Sequence, residues 1–287
     1  MFSPAVQDSK GRVESSGGMR TPGEFAMRKS GLALALAATV ATSGCVQSRQ
    51  FADVQFTPPQ GDYRLLVMRP DVTVNSLTTG GIAEPRAEWT DQARANIVEA
   101  LRTEQAGRGG QVLVLARRNE LPNVSAEEIA DLERLHYAVG NSIALHKYSG
   151  AALPSKRGKG LEYTLGEGAV SLGRRTGYDY ALFLYAQDNI ASTGRTALQV
   201  LGVAGCFIGF CAPSGGSNQF AYASLVDLRT GEVVWFNILQ TGSQLPGIKF
   251  GDIRTPQGAA QMVDRLVGRM KPGREVREAQ AQVKGDR

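Results

Sequence analysis

Apolar and polar positions alternate most regularly between Asn218 and Gln240, where two β-branched and aromatic runs, AYASLVDL and EVVWFNIL, flank Arg229-Thr230-Gly231. A glycine at the third position of so short a connection supplies the positive φ that a hairpin turn needs. In the first run Tyr222, Ser224 and Val226 alternate with Ala223, Leu225 and Asp227. In the second, Val233-Val234-Trp235-Phe236 is apolar on both faces, as in a strand with a covering layer on each side. This hairpin is expected at the centre of a sheet.

The same patterns place the other elements. Tyr63 to Val74 is β-rich, Leu65-Leu66-Val67-Met68 is apolar on both faces, and Pro70 predicts a bulge or an end of pairing. Thr90 reads as the cap of a helix with a buried stripe of Ala93, Ile97, Ala100 and Leu101, stopped by Gly107 to Gly110. Val112 to Leu115 is a second buried strand, which makes the start βαβ-like. Ser125 and Glu128 form a capping box for a helix with the stripe Ile129, Leu132, His136, Val139 and Ile143. A loop over Ser149 to Gly160 carries three basic residues and reads as solvated. Leu165 to Arg175 is a short, glycine-weakened helix, and Tyr178 to Tyr185 is a third central strand. Thr255-Pro256 opens the last helix, whose apolar face is Ala260, Val263, Leu266, Val267 and Met270. The fold class is α/β: a mixed sheet with helices packed against it, a βαβ-like start and a C-terminal β-hairpin followed by a helix. This domain is expected over residues 62–272, with a charged, disordered tail at 273–287.

One stretch breaks the rule that connections are polar. Between Ala191 and Gly216 lies a Gly-rich apolar insertion in which Leu198, Val200, Leu201, Val203, Phe207, Ile208 and Phe210 crowd together. Its apolar core, Ala197 to Ala212, would make a helix of roughly 24 Å, short of the ~30 Å hydrocarbon core of a bilayer. Burial beneath the domain's own helices is one solution. Exposure is the other, and Leu201, Val203, Phe207, Ile208 and Phe210 would then contact a protein partner or a membrane. The hypothesis carried forward is binding.

The N-terminal segment supplies an address. Arg28 and Lys29 precede the nine-residue apolar run Leu32 to Val40, and Thr42-Ser43-Gly44 leads into Cys45. The run is too short for a spanning helix, which takes ~20 residues. The order of charge, apolar run and small residues before a cysteine resembles the lipobox of bacterial lipoproteins, although Thr42 stands where that motif usually has Leu. The resemblance implies a signal peptide at 27–44, acylation of Cys45 with a palmitate-containing lipid, and a linker over 45–61 stiffened by Pro58-Pro59. Residues 1–26 are polar and make no sense as a leader, so translation is expected from Met27, with 1–26 untranslated or disordered. Val46 after the cysteine implies the outer membrane, with the domain facing the periplasm.

Charge and cysteine content narrow the chemistry. The whole chain has 32 Lys/Arg and 27 Asp/Glu. Residues 1–44 hold five and three of them, which leaves 27 against 24, a mixed surface rather than the basic stripe of a nucleic-acid binder. Cys206 and Cys211, five positions apart, either close a small disulfide in an oxidising compartment or serve as small buried hydrophobes. Neither His136 nor His146 is near them in sequence, so no metal site is expected. The chain lacks a phosphate-binding loop and a nucleophile elbow. Asp179, Asp188 and Asp227 stand at strand ends, where carboxylates serve turns and surfaces more often than acid–base chemistry, and His136 reads as a satisfied, half-buried histidine. No catalytic residue, cofactor or enzyme activity is expected.

From Gly177 onward, Gly-Tyr-Asp-Tyr-Ala-Leu-Phe-Leu, a Gly-rich insertion, Ala-Ser-Leu-Val-Asp-Leu-Arg-Thr-Gly-Glu-Val-Val-Trp and a helix after Gly-Asp-Ile follow one another. Over roughly 165–270 this resembles periplasmic lipoproteins of the curli-secretion (CsgG-like) and TolB N-terminal-domain-like group. The resemblance implies a non-enzymatic module of envelope assembly, held to the bilayer by acylated Cys45, binding an envelope protein and capable of homo-oligomerising. A second reading is an oligomeric outer-membrane pore or secretion component whose insertion enters the membrane. The long alternating hairpins of such a pore are missing from this sequence.

Overall fold

The computed structural model describes residues 47–52, 63–106, 111–148, 153–156, 160–206, 209, 215–242, 251–268 and 270. In chain order the strands are β1 (Gln47–Ala52), β2 (Arg64–Val67), β3 (Asp71–Leu77), β4 (Ala83–Pro85), β5 (Gln111–Val114), β6 (Tyr180–Ala191), β7 (Asn218–Asp227) and β8 (Val233–Gly242). The helices are α1 (Ala87–Ala106), α2 (Ala126–Ile143), α3 (Gly166–Thr176), α4 (Thr193–Cys206) and α5 (Pro256–Val267). One mixed sheet takes the order β1-β8-β7-β6-β2-β5, with β3 also beside β6 and β4 outside β3. Strand β2 pairs in parallel with β5 and β6, β3 pairs in parallel with β6, and the hairpin supplies antiparallel pairs.

Strand β6 organises the sheet. Its first residues pair with β2 and its later ones, Tyr185 to Ala191, pair with β3. The change of partner falls at Met68–Pro70, because Pro70 has no N–H to donate. On its other side β6 is paired with β7 from Tyr180 to Asn189. Gly231 turns the β7–β8 connection at φ +75 and donates its N–H to Asp227 O at 2.7 Å, so the expected hairpin lies inside the sheet.

Period-2 alternation sends the strand side chains into two cores. Leu182, Leu184, Ala223, Leu225, Trp235 and Leu239 meet α1 and α5, together with Ile97, Leu101, Val263 and Leu266. Phe183, Tyr185, Tyr222, Val226, Phe236 and Ile238 meet α2 and α3 on the opposite face. Trp235, 4% exposed, shares the first core with Val263 and Leu266, as expected. Asn237 on the same face donates from Nδ2 to Leu266 O at 2.6 Å, so strand β8 satisfies a carbonyl that the end of α5 leaves open.

The caps read from sequence are in place at α2 and α5. Ser125 and Glu128 exchange side-chain and backbone hydrogen bonds, and Thr255 Oγ1 accepts from Gly258 N–H at 3.1 Å. Other readings differ, and β6 runs on to Ala191, past the expected end at Tyr185. Helix α1 begins at Ala87, a turn before Thr90, whose hydroxyl instead accepts from Val74 N–H at 3.0 Å and ties the helix to β3. On α5 the buried positions are Ala259 and Met262 rather than Ala260. Within the stretch expected as a linker, 45–61, Gln47–Ala52 pairs antiparallel with β8 and supplies partners for a row of otherwise open backbone groups. The capping glycines 107–110 and the tail 273–287 lie outside the described residues.

Helix α2 approaches the sheet through a glycine. A Cβ at Gly140 would stand 2.2 Å from Cε2 of the fully buried Tyr222, whose hydroxyl donates to Tyr137 O at 3.1 Å. Intrinsic propensity favours Ala over Gly inside a helix by ~1 kcal/mol. Here the sign should reverse, because the methyl would displace a ring stacked between Tyr185 and Phe236. Gly140→Ala should therefore lower the Tm. A higher Tm in thermal melts would show that α2 does not rest on Tyr222 in this way.

Candidate functional site

Helix α4 follows β6 directly, at the end of the sheet where β6 stops. Ser192 N–H donates to Leu77 O, its carbonyl accepts from Thr196 N–H, and its hydroxyl accepts from Arg195 N–H at 3.3 Å, which starts the helix. The turn between β3 and β4 packs against that start: a Cβ at Gly194 would lie 2.5 Å from Thr79 Oγ1, and one at Gly81 would lie 3.0 Å from Arg195 Nη1. Arg195 Nε donates to Gly215 O at 2.8 Å and ties α4 to the approach to β7.

From this root the helix presents an inverted pattern. Surface helices bury apolar side chains and expose polar ones. On α4, Leu198, Val200 and Leu201 are 43%, 50% and 67% exposed, whereas Gln199 is 2% exposed. Arg195 is the sole charged residue of α4. Ile82, in the turn packed against α4, is 68% exposed. These four exposed apolar side chains lie on two elements, α4 and the β3–β4 turn, that meet at one end of the sheet. Of the residues anticipated for binding, Leu201 is among the most exposed and Val203 is half-buried, while Phe207, Ile208 and Phe210 lie outside the described residues. Cys206 ends α4, and its side chain, Cys211 and Cys45 likewise lie outside them. Ile82 was not anticipated: an isolated apolar residue after a Gly-Gly turn carries no periodic signal, and only the fold brings it beside α4.

The carboxylates and histidines do not converge. Asp179 accepts from Arg64 N–H at 2.9 Å, and Asp227 holds Arg229 at 2.6 Å beside the hairpin turn. Both lie where β6 begins, since Tyr180 is opposite Asp227, whereas Asp188 is opposite Gln219 near the other end. His136 is fully buried rather than half-buried. Its Nε2 is 2.7 Å from Ser224 Oγ and its ring stacks on Phe183 at 4.6 Å. Glu133, buried on α2, binds Arg118 at 2.6 Å and Arg69 at 3.8 Å, a strut from the helix to the loops after β5 and β2. Among the described residues no cluster of His, Cys, Asp or Glu could hold a metal ion, and no helix is long and apolar enough to cross a membrane.

No family model matches this chain, and no curated protein matches it. Solved structures do. The PelC dodecamer from Paraburkholderia phytofirmans is similar at 12% identity and TM-score 0.33, over 77% of this chain and 96% of that one. Lipoprotein GNA1162 from Neisseria meningitidis is similar at 13% identity and TM-score 0.25, over 67% and 90%. Likenesses at this level bear on no function.

Two buried groups give the domain a testable pH signature. Burial pushes the Asp188 carboxyl up to about 6, against a hydrogen bond from Gln219 Nε2 at 3.0 Å and with Asp252 nearby. Burial pushes His136 down to about 3. Between roughly pH 4 and 6 the folded state holds an extra proton at Asp188, so this group lowers stability as pH rises. Over the same window the unfolded state holds an extra proton at His136, so this group raises stability as pH rises. The two slopes oppose each other. Asp188→Asn keeps an acceptor for Gln219 and removes one slope. It should stabilise the protein at pH 7 by up to about 3 kcal/mol and make stability fall more steeply than wild type on acidification from pH 6 to 4. Parallel Tm–pH curves for the two proteins would exclude this pairing of opposed groups.

Proposed function

We propose that this chain is a lipid-anchored, periplasm-facing outer-membrane protein that acts by binding, as a non-enzymatic interaction and assembly module of the cell envelope. The observation that carries the reading is α4, a helix whose apolar residues Leu198, Val200 and Leu201 are turned outward and belong to neither core of the domain. An exposed apolar patch of this kind marks a contact surface. The sequence around Cys45 supports the anchor, and the dispersed carboxylates support binding rather than catalysis. The α4 helix, 14 residues or ~21 Å long, falls short of a ~30 Å hydrocarbon core.

Two measurements test the reading. Cys45→Ala should abolish labelling by a palmitate analogue and move the protein from the membrane fraction to the soluble one; unchanged labelling would remove the anchor from the account. The wild-type mass in detergent should be that of a monomer or dimer, whereas a closed ring would favour the pore component.

A further inference from the structure

We infer that the apolar end formed by α4 and the β3–β4 turn rests on the surface of the same bilayer that holds the lipid at Cys45. The inference deepens the anchored-module reading and depends on it. Its basis is the direction of β1. Gln47 is opposite Gln240, Gln240 is opposite Phe220, and Phe220 is opposite Gln187. Strand β1 runs antiparallel to β8, β8 to β7, and β7 to β6, so β1 runs opposite to β6. Strand β6 runs toward α4, and the chain entering β1 therefore comes from the α4 end. Cys45 is two residues before Gln47, a reach of at most ~7 Å of extended chain. An acylated Cys45 so close to the sheet cannot stand off from it, and the lipid surface must lie near the end that carries Ile82, Leu198, Val200 and Leu201.

The chemistry of that end fits a bilayer better than a second protein. The contact face of α4 is aliphatic and uncharged, its single basic residue is engaged with Gly215 O, and the helix has no acidic residue to meet anionic headgroups. A helix too short to span can lie in the interface with its apolar face among the acyl chains. Such a contact adds orientation to the anchor: with the α4 end down, the outer faces of α1/α5 and α2/α3 stand to the sides, open to partners.

The test uses the acylated full chain carrying Leu201→Trp or, separately, Ile82→Trp, reconstituted into phosphatidylcholine vesicles with and without brominated acyl chains. Both positions are exposed, so the added indole meets no packed neighbour. Emission beyond that of the native Trp89 and Trp235 should be blue-shifted in plain vesicles and lost in brominated ones. Flotation separates the possible failures. Protein that floats while the introduced indole stays unquenched in both variants overturns the inference and leaves the anchor standing. Protein that does not float overturns the anchor and the inference with it. A detergent-stable dimer dissolved by Leu201→Asp, with no quenching in vesicles, assigns the surface to a second copy instead and overturns the inference too.

Discussion

Strand β6 is held by β7 along one side and by β2 and then β3 along the other, and its side chains enter both cores. A strand buried on two faces must satisfy every backbone group within the sheet. This fixes the rest: the break at Pro70 sets where β2 hands over to β3, and the period of two sends Leu182 and Leu184 toward α1 and α5 while Phe183 and Tyr185 go toward α2. Because β6 is twelve residues long, it also outruns the covering of α2 and carries the chain to the end where α4 begins.

Close approach on the α2 face is made by aromatic side chains rather than aliphatic ones. Tyr222 stacks with Tyr185 and Phe236 and occupies the space that a side chain at Gly140 would fill. His136 and Ser224 satisfy each other inside this layer, a buried polar pair in an apolar core. The strand side chains are buried on both faces of the sheet, while Leu198, Val200 and Leu201 of α4 join neither core.

Much of this fold was legible in the sequence because its signals are local. Gly231, the Ser125–Glu128 box and Thr255-Pro256 each act within four residues. What was not legible depends on contacts between distant segments. The pairing of Gln47–Ala52 with β8 has no turn or periodic mark, so polar chain beyond an anchor reads as linker. Composition identified the insertion as unusual, yet whether Leu201 points in or out depends on where the fold seats α4. Ile82 joins that surface only through the seating of Thr79 against Gly194. The environment of Asp188 likewise needs Gln219 and Asp252 brought together by β7 and the loop before α5.

The central claim is that the domain is complete without α4 and that the helix is its working surface. Replacing Ala197 to Ala212 with a short Gly-Ser linker and following thermal unfolding tests this most directly. The account predicts a cooperative transition at a Tm close to wild type, because the exposed side chains of α4 contribute little to either core. Loss of the cooperative transition would contradict it, since α4 would then be a structural part of the domain and not a surface it offers.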